Sequence, residues 1–135
     1  MTTTRREISL SRRKVPVKRQ YPIAPNEKAR LNELFRYKIL DSEPEQVFDD
    51  AVALAQSLFG VATCVISFVE DDRQWFKARV GLDVCETDRG DAFCSYTILQ
   101  DDIMVVSDAR SDDRFASNPL VTGDPFIRFY AGAPL

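Results

Sequence analysis

The hydrophobic pattern divides the chain into a helical start and a strand-rich remainder. Leu31, Leu34, Phe35 and Ile39 recur at helical spacing behind Asn26, a residue type that caps helices, so a first helix is expected over about residues 27–39. Val47, Ala51, Leu54, Ala55 and Leu58 line one face of a second, over about 44–59; Ser42 and Glu45 have the spacing of a capping box before it, and Gly60 stops it. From Thr63 the period changes. The segment 64–69 (CVISFV) is apolar on both faces, which predicts a central strand. Glu70-Asp71-Asp72 make its turn into 73–80 (RQWFKARV), where Phe76, Ala78 and Val80 alternate with Trp75, Lys77 and Arg79. Beyond these, a short helix is expected at 93–99, a strand at 103–107, a helical turn at 112–117 and a last strand at 126–131, with Asn118-Pro119 and Gly123-Asp124-Pro125 as punctuation. Two helices, a strand pair, and short helices between further strands predict an α+β fold rather than a doubly wound sheet.

Charge draws the one domain boundary. Residues 1–20 carry Arg5, Arg6, Arg12, Arg13, Lys14, Lys18 and Arg19 against Glu7 alone, whereas residues 21–135 carry eleven basic and twenty acidic side chains, for a net −3 over the whole chain. The basic stretch lacks apolar periodicity and is expected to be a disordered tail at 1–20, followed by one domain at 21–135. It has no aromatic interleaving, so no nucleic-acid partner is expected, and no apolar run approaches the ~20 residues of a membrane span. A cytoplasmic protein without membrane insertion is the expectation.

The 135 residues include no histidine, which excludes Ser/His/Asp and Cys/His catalysis and histidine ligation of zinc or haem within this chain. Cys64, Cys85 and Cys94 show no CxxC spacing and are an odd number, so reduced thiols are expected rather than a disulfide framework. Neither a metal nor a cofactor is expected.

Several ordered strings carry a family resemblance: ILDS at 39–42, FDD at 48–50, DRQWFKARVGL at 72–82, AFCSYTIL at 92–99, VVSDARSDDRF at 105–115 and NPLVTGDPFIRFYAGAPL at 118–135. Together they resemble GAF domains, in particular those that precede histidine kinase, diguanylate cyclase or phosphodiesterase modules in bacterial and cyanobacterial signalling proteins. The resemblance spans residues 27–135. It implies an antiparallel sheet with N-terminal helices on one side and short helices and loops on the other, and a small-molecule pocket between the sheet and those insertions. On this chain the pocket wall would comprise Trp75, Phe76, Phe93, Cys94, Tyr96, Phe115, Arg128 and Tyr130. GAF domains usually continue past a string like AGAPL into a further strand and a closing helix, so the chain resembles a domain cut short at Leu135. Open strand edges and exposed Leu31, Leu34 and Leu58 would then favour a homodimer.

The resemblance narrows the ligand by exclusion. The N-K-x-x-F pattern shared by cyclic-nucleotide-binding members is absent, and Ser95 stands after Cys94 where bilin-binding members usually place histidine. Free-methionine sulfoxide reductases are also GAF proteins, and Cys85 with Cys94 resembles part of their thiol set, but the segment 105–115 lacks a further cysteine. The expected function is a regulatory sensory domain that binds a small molecule or partner and performs no chemistry. A reductase relic and a purely dimerising module are the alternatives.

Overall fold

The structure, a computed structural model, describes residues 20–135; the expected basic tail lies almost wholly outside the described residues. The elements in chain order are α1 (Glu27–Tyr37), α2 (Gln46–Phe59), β1 (Cys64–Val69), β2 (Arg73–Val80), β3 (Glu86–Asp88), α3 (Cys94–Thr97), β4 (Met104–Val106), a 3-10 turn (Ala109–Ser111), α4 (Pro119–Thr122) and β5 (Tyr130–Gly132). They form an antiparallel sheet in the order β1-β2-β3 and a two-stranded antiparallel sheet β4-β5, which is the expected α+β arrangement.

Several boundaries differ from the periodicity, each for a local reason. Helix α1 stops at Tyr37 because Lys38 takes the left-handed conformation (φ 52°) and returns its N–H to the Phe35 carbonyl, which leaves Ile39 outside the helix. Gly60 ends α2 in the same conformation (φ 62°), as its residue type leads one to expect. The capping box is not formed: Ser42 Oγ donates to the Ile39 carbonyl, and Glu45 sits at the cap with its carboxylate turned to Lys77 instead. The expected helical turn at 112–117 is present only as turns, with the 3-10 segment earlier at Ala109–Ser111. The last strand starts at Tyr130 rather than 126, because Phe126 has φ 57° and leaves the extended region.

The order of the main sheet corrects the reading of 64–69. Strand β2, not β1, lies in the middle, and Gln74, Trp75, Phe76, Lys77 and Ala78 are all buried while β1 is mostly half-buried. The register shifts between Ile66 and Ser67: Ile66 faces Ala78, Ser67 faces Phe76, and Lys77 has no opposite residue. The bulge breaks the simple alternation expected along β2. Helix α2 packs on β1 and β2. Leu34 is buried in α1, contrary to the exposure expected of it, while Leu58 is 72% exposed as expected and Leu31 is half-buried. A second apolar core of Phe93, Met104, Val106, Ala109, Phe115 and Val121 joins α3, β4, the 3-10 turn and α4.

Polar bonds fix α1. Glu27, in its first turn, receives hydrogen bonds from Arg30 (2.8 Å) and from Arg89, and Arg30 also donates to the Val69 carbonyl at the end of β1. Burial alone would raise the Glu27 carboxyl; the bonds from Arg30 and Arg89 outweigh it and lower it from 4.5 to about 2. A carboxyl lowered in the folded state stabilises at pH above its unfolded value, and that contribution is lost as pH falls from about 4.5 toward 2. Glu27→Gln should therefore cost ~3 kcal/mol in urea unfolding at pH 7, because it leaves the Arg89 charge buried without a counter-charge. The same variant should flatten the dependence of stability on pH between about 2 and 5.

Candidate functional site

The start of β2, the middle of β1, the helix α3 and the start of β5 bring five polar side chains together. Gln74 Nε2 donates to Ser67 Oγ at 2.9 Å and to Cys94 Sγ at 3.1 Å; Ser67 Oγ also donates to Cys94 Sγ at 3.6 Å. From β5, Tyr130 OH lies 3.2 Å from Cys94 Sγ and 2.8 Å from Thr97 Oγ1. The geometry follows from the elements. Residues two apart on a strand share a face, so Gln74 and Phe76 project together while Trp75 projects to the other side. Gln74 stands opposite Val69 on β1 and Thr87 on β3, two residues from Ser67. Cys94 and Thr97, three apart on α3, meet Tyr130 from the opposing sheet.

Aromatic rings enclose one side of the cluster. Phe93 stacks on Phe115 with centroids 4.0 Å apart, Tyr96 meets Phe115 edge-on at 5.1 Å, and Tyr130 is tilted against Phe93 at 5.1 Å. Burial, followed by the charge and hydrogen bond of the neighbouring Cys94 sulfur, pushes the Tyr130 phenol well above its ordinary value, so this hydroxyl keeps its proton. The cluster is therefore an arrangement of polar donors and acceptors beside an aromatic wall, with the Tyr130 phenol protonated. It can hold the polar edge of a flat molecule.

Of the residues expected to line the pocket, the structure brings together Phe93, Cys94, Tyr96, Phe115 and Tyr130, with Phe76 on the same sheet face as Gln74. Trp75 is buried on the opposite face, across from Phe68 and Glu86. Arg128 does not converge on the site: it is exposed, and its guanidinium donates to the Val121 carbonyl in α4 and to the Ile127 carbonyl beside it. Sequence reasoning passed over Ser67, Gln74 and Thr97. The signal was present, since Ser67 and Gln74 are polar residues in otherwise apolar strand positions, where burial demands a partner. Two surface hollows, about 450 Å³ along Pro44, Asp49 and Arg79–Asp83 and about 310 Å³ along Asp72, Arg73 and Glu86–Asp88, contain none of these residues and are open to solvent. Among the described residues, no group of His, Cys, Asp and Glu side chains could hold a metal ion. Cys64, Cys85 and Cys94 are free thiols.

Space in the cluster is tight at Gly132, where an added Cβ would lie 2.2 Å from Tyr130 OH and 2.9 Å from Thr97 Oγ1. Gly132→Ala should displace the phenol and lower stability by about 1–3 kcal/mol, by the usual cost of overpacking. Cys94→Ala, which removes the shared sulfur but creates no clash, should cost only about 1 kcal/mol. Urea denaturation followed by tyrosine and tryptophan fluorescence measures both.

Residues 43–135 match the family model of the GAF domain. The chain is also similar to a cyclic di-GMP phosphodiesterase of Pseudomonas aeruginosa strain PAO1, with 42% identity over 114 residues. That alignment covers 84% of this chain and 19% of the relative, so the chain spans about a fifth of that protein's length. With the two long helices, the antiparallel sheets and the inserted α3 in the expected order, the match places the chain in a known family: it belongs to the GAF domains.

Proposed function

We propose that this GAF domain is a non-catalytic sensory module of bacterial cyclic di-GMP signalling, acting in the cytoplasm, whose ligand is a small neutral molecule received at the Ser67–Gln74–Cys94–Thr97–Tyr130 cluster. The convergence of five polar side chains on one half-buried spot carries the reading. Buried polar groups are costly unless paired, and here they pair with one another in a way that a ligand offering one donor and one acceptor could replace. The similarity to a cyclic di-GMP phosphodiesterase supports the signalling context, because a domain covering 19% of such a protein suits an input role. No helix of the described residues is long and apolar enough to cross a membrane. The missing histidine supports binding without chemistry.

The test is a thermal-shift and calorimetric screen of the 135-residue chain against free amino acids, nucleosides and cyclic di-GMP. At a hundredfold excess over Kd, one class should stabilise the fold by about 2.7 kcal/mol, and the ligand should be recovered unchanged by mass spectrometry. Gln74→Leu and Tyr130→Phe, checked for folding by circular dichroism, should abolish the shift. Persistence of binding in both folded variants, or turnover of the ligand, would refute the site or its non-catalytic role respectively.

A second reading, homodimerisation through the helices, is favoured by the exposure of Val47, Leu54, Leu58 and Phe59 on α2. It predicts that sedimentation equilibrium gives twice the mass of one chain, and that Leu54→Glu with Leu58→Glu returns a monomer of unchanged fold.

A further inference from the structure

Arg89, immediately after β3, has no exposed surface, and the cluster described above makes no use of its side chain. Its Nη1 donates to the Glu27 carboxylate in the first turn of α1 and to the carbonyls of Glu70 (2.9 Å) and Asp71 (3.3 Å). The Tyr21 ring covers the guanidinium at 4.6 Å. The backbone of the same residue is tied the other way. Its carbonyl accepts the hydroxyl of Ser95 at 2.7 Å, and Ser95, also without exposed surface, lies on α3 between Cys94 and Tyr96. One buried residue thus connects the helix that carries Cys94 and Thr97 to the first turn of α1.

Three features make this connection responsive. Arg89 and Ser95 both lack exposed surface, so a shift of α3 is passed to neighbouring groups and is not absorbed by solvent. Helix α1 has Leu34 as its one buried residue, so the bonds at Glu27 are a large part of what seats its first turn. Finally, Nε and Nη2 of Arg89 are buried without a hydrogen-bond partner among the described residues, although that edge is the one suited to fork onto a carboxylate. The guanidinium's hydrogen bonds are therefore all made by Nη1, so one pivot of that atom changes its bonds to Glu27, Glu70 and Asp71 together.

We propose that Arg89 is a clasp between the polar cluster and α1, so that displacing Tyr130 from the cluster loosens the first turn of α1. The assignment of a ligand as the natural trigger rests on the function proposed above; the mechanical link does not, and it is tested without a ligand.

The experiment follows amide hydrogen exchange in the full 135-residue chain at residues 30–34 of α1, with β2 amides as the reference for global opening. Tyr130→Phe removes the hydroxyl from Cys94 and Thr97, and it is expected to speed exchange in α1 relative to β2 by about fivefold or more, the lower range of measured couplings between sites. In a Ser95→Ala background, where the bond from α3 to Arg89 is cut, the same substitution should leave α1 and β2 changing together. Thr97→Val supplies the same perturbation where Tyr130→Phe unfolds the chain. Equal effects in both backgrounds, or the absence of an α1-specific effect from either substitution, overturn the clasp. A chain that shows the coupling and yet binds nothing in the ligand screen keeps the clasp and loses the ligand; binding without the coupling loses the clasp alone.

Discussion

The ammonium of Lys77 lies wholly out of water in the middle of β2, and a buried charge is tolerated only when its protons are met. An ammonium has three donors, and three acceptors meet them here: Ser42 Oγ at 2.8 Å, the Glu43 carbonyl at 2.7 Å and the Glu45 carboxylate at 2.6 Å. The Phe48 ring adds its face at 5.4 Å. All four partners come from the connection between α1 and α2 or from the first turn of α2, so satisfying one charge determines where α2 starts and how it is seated on the sheet. The same residue is the unpaired member of the β1–β2 register. Because the bulge absorbs one residue, Gln74 falls opposite Val69, within reach of both Ser67 and Cys94, and the polar cluster depends on that offset.

Lys77 and Arg89 are two solutions to burying a cation in a small domain, and they differ in completeness. Lys77 has two hydrogen-bond acceptors and a paired carboxylate around its ammonium, whereas Arg89 is met on Nη1 and left unmet on Nε and Nη2 among the described residues. Glu27 is also shared between Arg89 and Arg30, so one carboxylate answers two guanidinium groups. A fully satisfied buried group resists movement, because any displacement exposes an unmet donor. A partly satisfied one has less to lose, so the α2 end of the sheet is the rigid part and the α1 end the adjustable part.

Strand β1 was legible because a largely apolar, β-branched run lies between Thr63 and an acidic turn, and β2 because large apolar residues alternate after that turn; both spans agree with the structure. Their order in the sheet was not. An apolar segment reads as central, and nothing local in 73–80 announces that Lys77 is the buried residue of the middle strand. The capping box failed for a related reason: Ser42 and Glu45 have the right spacing, but a charge thirty-odd residues away competes for both side chains. At the far end, Phe126 to Arg128 continue the apolar alternation in sequence, yet Phe126 adopts φ 57° and Arg128 bonds back to Val121, so backbone conformation overrides the pattern. Within the site, the aromatic residues were found because they are large and apolar, while Ser67, Gln74 and Thr97 escaped because short polar residues acquire meaning only from the register that brings them together.

That asymmetry also explains why the family is plain and the ligand is not. The strings that identify a GAF domain include residues that make its core: Phe93 and Phe115 stack, Val106 and Ala109 fill the interior between them and α4, and Asn118 caps α4 through its own side chain. Such residues are constrained by packing whatever the domain binds. Selectivity would reside in the small uncharged groups that project from this frame, and a change of one hydroxyl or one amide there would alter which donor–acceptor pair is complementary without disturbing the stack behind it. A sequence that is 42% identical to a phosphodiesterase over most of its length can therefore share the frame while differing in what the frame presents. The signal that such a domain produces must in turn leave through elements that are less tightly packed than that core. Of the long helices in this structure, α1, seated by one buried leucine and the carboxylate of Glu27, meets that condition better than α2, whose start is fixed by a buried and fully satisfied charge.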